Sequence, residues 1–240
     1  LDRSGIFTNT EGEAFAGDIV IETPRLEVHD GGLIVSGTLG QLPGARGDGR
    51  IDILAGSVLL FGVGPDGNPS LISTQSEGPG RAGDVTIFAD SLELGGGARI
   101  SSASYGQGLD AGNGGGVFIN AGRIVLAGRR PDGTPTGINA ESTGPGMAGN
   151  IGITAGSALV LAGGAEIATS ASEADGGNIT LRVGRLLQLT DSRITTSVGS
   201  GFAAAVLPVA AQTTIKTPSD GLLAGEVTIP VGDFKMPAYR

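Results

Sequence analysis

The sequence has no cysteine and no tryptophan, and these absences exclude several kinds of site. Without cysteine, a chain of 240 residues has no disulfide, no thiolate metal ligand and no thiol nucleophile. Aromatic residues make up only 4% of the chain, so a core has to be built from small aliphatic side chains. The lack of cysteine also suits an exported protein.

Basic residues and long apolar runs are scarce as well. The formal net charge is −9, and the only lysines are Lys216 and Lys235. Because nucleic-acid binding needs a basic stripe, we expect no nucleic-acid partner. The longest apolar run, residues 202–211, is too short to span a bilayer, so we expect no transmembrane segment. No signal-peptide pattern opens the sequence, which predicts a mature or excised piece of an exported protein.

Glycine is abundant, and it marks a regular repeat. There are 45 glycines without a collagen-like period, and the mean hydropathy of +0.17 argues against disorder. A glycine followed by alternating β-branched aliphatic residues begins units at Gly17, Gly49, Gly83, Gly115, Gly149 and Gly177. The spacing alternates between 32 and 34 residues before it shortens to 28. A longer duplication places GPDGNPSLISTQSEGPGRAGD (64–84) over RPDGTPTGINAESTGPGMAGN (130–150).

Each unit contains three short alternating segments and no amphipathic helix. In one unit these are DVTIF, SLELG and ARISSAS, within residues 84–104. Period-two alternation that is rich in Val, Ile, Leu and Thr indicates strands. Three strands per repeat predict an all-β parallel β-helix, a solenoid in which each coil pairs with the next about 4.8 Å away. We expect about six to seven coils of roughly 32 residues over residues 1–199.

Stacking predicts three interior ladders of aliphatic side chains and one row of small residues. The first ladder is Ile19, Ile51, Val85, Val117, Ile151 and Ile179. The second is Ile21, Ile53, Ile87, Ile119, Ile153 and Leu181. The third is Ile6, Ile34, Ile72, Ile100, Ile138, Ile167 and Ile194. The small row, whose hydroxyls we expect to bond along the stack, is Thr8, Ser36, Thr74, Ser102, Ala140, Thr169 and Thr196.

The stretches GPGRAG (78–83) and GPGMAG (144–149) match the spacing of a dinucleotide-binding fingerprint. That fingerprint follows a strand and opens a helix, whose amide groups hold the pyrophosphate. Here each stretch precedes a predicted strand, and the first copy, GEAFAG (12–17), loses the middle glycine. We therefore interpret these glycines as solenoid corners.

Outward positions contain few residues suited to catalysis. On the first strand, Asp52 is the one carboxylate of its row, which gives no acid–base pair. Glu166 and Arg193 are expected to pair across neighbouring coils as a surface ion pair. His29, the only histidine, is expected to be a turn residue. A carbohydrate-active enzyme is the alternative to a binding protein, and it would need carboxylates clustered on one outer face.

One corner position is occupied by Asp18, Asp84, Asn150 and Asn178. Their side chains are expected to bond backbone groups of the turn. Calcium is disfavoured because the GGxGxD pattern of calcium-binding β-rolls is missing. We expect no cofactor, no metal and no catalytic residue.

Two duplicated turns are the candidate recognition loops. They have favourable β-turn chemistry and are expected to project from alternate coils on one flank. They are either loops without a function of their own or a recognition surface, because surface loops often bind partners but also vary freely in sequence. The six candidate residues are Pro65, Asp66, Gly67, Pro131, Asp132 and Gly133.

The repeats resemble the shaft of two-partner secretion exoproteins similar to filamentous haemagglutinin. The resemblance rests on GDVTIFADSLELGGGARISSASYGQG (83–108), GNIGITAGSALVLAGGAEIATSAS (149–172) and GNITLRVGRLLQLTDSRITTSV (177–198). It implies a right-handed parallel β-helix that an outer-membrane partner barrel exports to the bacterial surface or the extracellular medium. It also implies roles in adhesion, aggregation or biofilm formation, with a surface glycan or protein as the partner. The Asn-Pro-Asn motifs of the family's secretion domain are not found here.

The regular repeat pattern ends after residue 199. Residues 200–240 are expected to form an irregular cap with one further strand-like rung at 225–231, and residues 202–211 are expected to cover the last coil. The function expected from the sequence is a non-enzymatic, adhesin-like segment. The alternatives are a carbohydrate-active or carbohydrate-binding β-helix and a purely structural spacer.

Overall fold

The chain folds as an all-β parallel solenoid of about six turns, as the repeat predicts. The computed structural model describes residues 4–40 and 45–199, together with the backbone of strands at 206–210, 212–216 and 226–230. These residues contain no helix. None of them therefore forms a helix long and apolar enough to cross a membrane.

One parallel sheet contains the last segment of each coil and has seven strands. We call it the third-segment sheet. Its strands are β1 (Gly5–Thr10), β3 (Leu33–Thr38), β5 (Leu71–Ser76), β7 (Arg99–Ser104), β9 (Gly137–Ser142), β11 (Glu166–Ala171) and β14 (Arg193–Val198). They pair in that order, so each coil stacks on the one before it.

The first two segments of each coil form the other sheet. Its strands are β2 (Ile19–His29), β4 (Ile51–Phe61), β6 (Val85–Gly95), β8 (Val117–Ala127), β10 (Ile151–Ala162), β12 (Ile179–Val183) and β13 (Leu186–Thr190). Three more strands continue it, namely β15 (Val206–Ala210), β16 (Gln212–Lys216) and β17 (Glu226–Pro230). Strands β15 and β16 add in parallel to β12 and β13, whereas β17 pairs antiparallel with β16. The rest of the predicted cap lies outside the described residues.

In the first five coils, the two predicted segments form one continuous strand rather than two. In β4, residues 51, 53 and 55 face inward, and beyond Gly56 the inward positions are 58 and 60. The chain thus turns a corner at one residue while the parallel pairing with both neighbouring coils continues on either side of it. In the sixth coil, around Gly184, two separate strands form instead.

All three predicted ladders have the predicted register and lie in the core, together with second-segment residues such as Leu60, Leu92 and Leu126. In the third ladder, Ile72, Ile100 and Ile138 are completely buried. Burial of one such side chain contributes roughly 1.5–3 kcal/mol, so the ladders contribute a large share of the folding free energy. Ile6, at the first coil, remains 49% exposed because β1 pairs on one side only.

The small row also points inward, and the hydroxyls of five of its residues bond to corner carbonyls, namely those of Thr8, Ser36, Thr74, Ser102 and Thr169. Thr74 and Ser102 both donate to the carbonyl oxygen of Gly83, and Thr169 donates to that of Gly177. Corner carbonyls have no partner in the sheets, and these hydroxyls satisfy them in the interior.

The GPGRAG stretch is a corner between coils, as predicted. It contains no helix and leads into β6. A Cβ on Gly83 would lie 1.9 Å from the carbonyl oxygen of Gly49, and one on Gly80 would lie 2.4 Å from the amide nitrogen of Gly47. Glycine is required here because the backbones of neighbouring coils touch at the corner.

Candidate functional site

The two predicted recognition loops are short β-hairpins built in the same way. We call residues 62–70 hairpin A and residues 128–136 hairpin B. In hairpin A the Gly64 N–H donates to the Asn68 carbonyl at 2.8 Å, and in hairpin B the Arg130 N–H donates to the Thr134 carbonyl at 2.8 Å. The tips of both hairpins are exposed to solvent.

The hairpins contribute to the alternation of the repeat spacing: hairpin A has nine residues (62–70) where the next coil has three (96–98), whereas the corner that follows it has eight (77–84) against twelve (105–116). The two 34-residue units, which begin at Gly49 and Gly115, are the units that carry a hairpin between their second and third segments. The units between and beside them have tight turns instead, such as Gly96-Gly97 and Gly163-Gly164. The hairpins therefore project from one flank two coils apart, at a separation of about 10 Å.

A buried hydroxyl clamps the base of each hairpin. Ser70 Oγ donates to the Phe61 carbonyl at 2.8 Å and accepts from the Gly31 N–H at 3.1 Å. In hairpin B, Thr136 Oγ1 donates to the Ala127 carbonyl at 2.9 Å and accepts from the Gly97 N–H at 2.8 Å. Each hydroxyl thus joins its own coil to the tight turn of the preceding coil.

These clamp residues were not predicted from the sequence. Ser70 and Thr136 occupy equivalent positions of the 66-residue duplication, and both side chains are completely buried. The sequence did contain a signal for these clamps, namely a hydroxyl residue at the same position in both copies of the duplication. The clamps give the predicted hairpins a rigid base.

The tips of the hairpins differ in charge. In hairpin A, both carboxylate oxygens of Asp66 accept from Asn68, one from its backbone and one from its side chain. In hairpin B, the Arg130 guanidinium forms an ion pair with Asp132. That guanidinium, followed by the Thr134 N–H, lowers the pKa of the Asp132 carboxyl well below its usual range.

Two arginines of hairpin B lie over the neighbouring tight turns. A Cβ added to Gly97 would lie 1.9 Å from Arg130 Cγ, and one added to Gly164 would lie 1.6 Å from Arg129 Nε. Both glycines have positive φ angles, +85° and +91°. The glycine turns therefore provide the space in which the arginine side chains lie flat on the solenoid.

The corner Asx row bonds backbone groups, as predicted, but these belong to the next coil. Asp18 accepts from the Arg50 N–H at 2.9 Å, and Asp84 accepts from the Gly116 N–H at 2.7 Å. The Arg50 N–H is the main cause of a lowered pKa of Asp18, and the Arg50 guanidinium lowers it further. This row therefore fastens one coil to the next.

The carboxylates at this corner are paired with arginines. Arg81 lies 3.0 Å from Asp48 and also bonds Asp84, while Arg50 lies 3.2 Å from Asp18. Within residues 4–40 and 45–199, no group of three or more His, Asp and Glu side chains is arranged to hold a metal ion. The corner carboxylates therefore serve the stacking of coils.

The remaining polar candidates lie apart from one another. Glu166 and Arg193 form the predicted ion pair across neighbouring coils, with an N–O distance of 2.8 Å. His29 ends β2 next to the turn, and its Nε2 lies 3.3 Å from a carboxylate oxygen of Glu27. Both groups are on the surface, far from each other in the order of coils.

A pocket of about 320 Å³ lies beside the end of β7. Tyr105, Glu77 and Asp110 line it. The Tyr105 hydroxyl donates to Glu141 at 3.0 Å, and burial, followed by the Glu141 charge, raises the pKa of this phenol. Sequence reasoning missed this pocket because its residues come from loops of neighbouring coils.

An apolar patch lies on the outer face of the first segments. Val20, Leu54, Phe88 and Phe118 are between 41% and 67% exposed. The strand register places Leu54 and Phe88 next to each other in one row, and Val20 and Phe118 in the adjacent row on the coils that flank them. The sequence does not show this patch because each residue belongs to a different repeat.

The comparisons with known proteins leave the family open. No protein-family model and no solved structure matches the chain. A stretch of 47 residues is 64% identical to a protein of Methylorubrum extorquens described as "Putative carboxymethylenebutenolidase". The match covers 20% of this chain and spans 16% of the length of that protein. The activity that its description names is therefore not assigned to this chain.

Proposed function

We propose that this chain is a non-enzymatic binding segment of an adhesin-like protein that acts in adhesion, aggregation or biofilm formation. The observation that carries the proposal is the pair of hairpins, displayed with the same construction two coils apart on one flank. Their clamped bases hold the tips in place before a partner binds. Such preorganisation reduces the ordering cost of binding.

The composition and the resemblance support a surface location. The formal net charge of −9 favours solubility, and the lack of cysteine is compatible with export. Its repeats resemble the shaft of two-partner secretion exoproteins. We therefore propose export through an outer-membrane partner barrel, with display on the cell surface or release from it. The expected partner is a glycan or a protein of a host or neighbouring cell.

At the corner, the state of the carboxylates favours binding over carbohydrate hydrolysis. A glycosidase needs two carboxyl groups that face the same bond. The corner carboxylates Asp18, Asp48 and Asp84 are instead each bound to an arginine. A purely structural spacer, the other alternative, would need neither hairpin tip.

Trimming the hairpins tests the proposal. Residues 62–70 and 128–136 are each replaced by Gly-Gly-Ala, the tight turn that the solenoid itself uses at 96–98 and 163–165. Labelled wild-type and trimmed proteins are then incubated with intact bacterial and animal cells, and bound label is measured by flow cytometry. We expect the wild type to bind and the doubly trimmed variant to lose at least tenfold in binding.

The design separates binding from folding. Because the replacement is a native turn of this solenoid, circular dichroism and thermal unfolding should show an intact β structure. Equal binding by the trimmed and wild-type proteins would contradict the proposal, as would a wild type that binds no cell.

A further inference from the structure

The pocket of about 320 Å³ beside the end of β7 lies between two corners of the solenoid, and we call it the corner pocket. The corner after β7 has twelve residues, against eight in the corner of the preceding coil. Its extra length lies in residues 105–112, which we call the arch. The arch begins where the Tyr105 N–H donates to the Ser76 carbonyl at 2.7 Å. It ends where the Gly112 N–H donates to the Gly78 carbonyl at 3.2 Å.

Side chains fasten the arch to the following coil as well. The Tyr105 hydroxyl donates to Glu141 at 3.0 Å, and Gln107 Nε2 donates to the Thr143 hydroxyl at 2.9 Å. Tyr105 remains 39% exposed, so part of its ring is accessible. Because the arch is held on both sides, the corner pocket is formed before a ligand binds, which reduces the ordering cost of binding.

The corner pocket is lined by two carboxylates without a basic partner. Glu77 comes from the preceding corner and Asp110 from the arch. In the described part of the chain, neither carboxylate forms an ion pair or accepts a hydrogen bond from a side chain. The neighbouring Asp84, by contrast, is bound by Arg81. Arg99, whose charge reaches Tyr105, donates to an asparagine instead and does not line the pocket.

We propose that the corner pocket binds an alkylguanidinium group, such as the side chain of an arginine on a partner protein. A guanidinium group has five N–H donors in a planar fork that matches carboxylates, and its plane stacks on aromatic rings. Glu77 and Asp110 supply the acceptors, and Tyr105 supplies the ring. Pro79 and Ala111 add apolar surface, against which the methylene groups of the ligand pack.

The charges around the pocket favour an organic cation over other ligands. No residue that lines it is basic, and the formal net charge of −9 attracts a basic partner. A metal ion fits less well, since the described residues contain no group of three or more His, Asp and Glu side chains arranged to hold one. The pocket lies at the opposite end of the third-segment strands from the hairpins, so this proposal does not depend on their role.

The chain itself supplies matched substitutions for a test. Leu39 occupies the position of Tyr105 in the preceding 66-residue unit, and its N–H makes the equivalent bond to the preceding coil at 2.7 Å. Tyr105→Leu therefore removes the ring but places a residue that this corner already accepts. Glu77→Gln and Asp110→Asn remove the charges and nearly keep the shape. Glu93→Gln is the control, because it removes an exposed carboxylate on β6.

An NMR titration with four probes tests the proposal. The probes are the blocked peptide Gly-Arg-Gly, the same peptide with lysine or with citrulline in place of arginine, and free agmatine. Citrulline has nearly the shape of arginine but no charge. We expect the arginine peptide to cause saturable shifts of the Tyr105 ring and the Asp110 amide. The lysine peptide should bind about fivefold more weakly, because an ammonium group has no planar fork. The citrulline peptide should cause no saturable shift.

The variants locate the binding. Glu77→Gln and Asp110→Asn should each weaken it about three- to tenfold, because a charge-assisted hydrogen bond is lost. Tyr105→Leu should weaken it about threefold. Glu93→Gln and the doubly trimmed hairpin variant should bind as the wild type does, which separates this proposal from the one on the hairpins. Spectra of the free variants, unchanged outside the corner, show that each is folded.

The probes also distinguish the source of the group. Binding of both agmatine and the arginine peptide supports an arginine of a protein partner, and binding of agmatine alone supports a free alkylguanidine. Three results would each overturn the proposal. They are equal binding of the arginine peptide and either substituted peptide, binding unchanged by both Glu77→Gln and Asp110→Asn, and absence of shifts at Tyr105 with both guanidinium probes.

Discussion

Thr74 and Ser102, on neighbouring coils, donate their hydroxyl groups to one acceptor, the carbonyl oxygen of Gly83, at 2.5 and 2.9 Å. Thr8 and Ser36 bond Gly17 in the same way, one 66-residue unit earlier, at 2.6 and 2.9 Å. The coils are therefore joined by buried hydroxyl groups as well as by strand pairing. This arrangement predicts a non-additive response to substitution.

Removal of one hydroxyl at Gly83 should cost little, and removal of both should cost more than the sum. We expect Thr74→Val to lower the free energy of unfolding by about 1 kcal/mol, because Ser102 still satisfies the carbonyl. The double variant with Ser102→Ala leaves a buried carbonyl without a partner, which adds about 1–3 kcal/mol. Urea unfolding measures both, with Ser170→Ala on the outer face as the control. Simple additivity would contradict this account of the corner.

The cost of a ladder substitution should depend on its place in the stack. Ile100→Ala removes a completely buried side chain from the middle of the third ladder, and we expect a loss of about 2–5 kcal/mol. Ile6→Ala makes the same change in the same ladder where the side chain is 49% exposed, so we expect about 1 kcal/mol or less. Equal losses in urea unfolding would show that the first coil is covered in solution.

Corner glycines should tolerate alanine only where neighbouring coils do not touch. Gly83→Ala places a Cβ 1.9 Å from the Gly49 carbonyl oxygen, so we expect a loss of about 3 kcal/mol or more. Gly12 occupies the position of Gly78 in the first copy and has no atom within 4 Å of an added Cβ. Gly12→Ala should stay within about 0.5 kcal/mol of the wild type. Thermal unfolding measures both variants, and a stable Gly83→Ala protein would contradict the close contact.

The carboxyl group of Asp132 should titrate below the usual range for aspartate. Because the Arg130 guanidinium lowers its pKa in the folded protein, the ion pair contributes to hairpin order above the unfolded pKa and is lost as the pH falls through the folded pKa. Hairpin B should thus stay ordered at pH 4. Carbon NMR of the side-chain carboxyl gives the midpoint, and Arg130→Leu should raise it. A midpoint at or above 3.8, the ordinary value, would contradict the ion pair.

The ladders were predictable from the sequence because stacking imposes the same choice at every coil. Ile72, Ile100 and Ile138 differ little in local sequence pattern, and the pleat alone places all three inward. The merged strands were not predictable, since the corner at Gly56 interrupts the alternation without interrupting the pairing. A sequence pattern shows which residues face inward, but it does not show that strand pairing continues through a corner.

The sites were predictable only where they are local in sequence. The turns at Asp66 and Asp132 are visible in a few residues because turn chemistry is local. The clamps of Ser70 and Thr136 bond glycines 39 residues away, so they depend on how coils stack. The corner pocket likewise depends on how loops of neighbouring coils meet. No short pattern contains that information.

The most direct test of the account measures binding and bond cleavage together. The wild type and the doubly trimmed variant are applied to a glycan and cell-surface protein array, and reducing ends are measured in the same wells with a heat-denatured control. We predict that the wild type binds, that trimming of hairpins A and B removes the binding to the hairpin partner, and that no reducing ends appear. Release of reducing ends that the denatured control lacks would contradict the account, as would a wild type that neither binds nor cleaves.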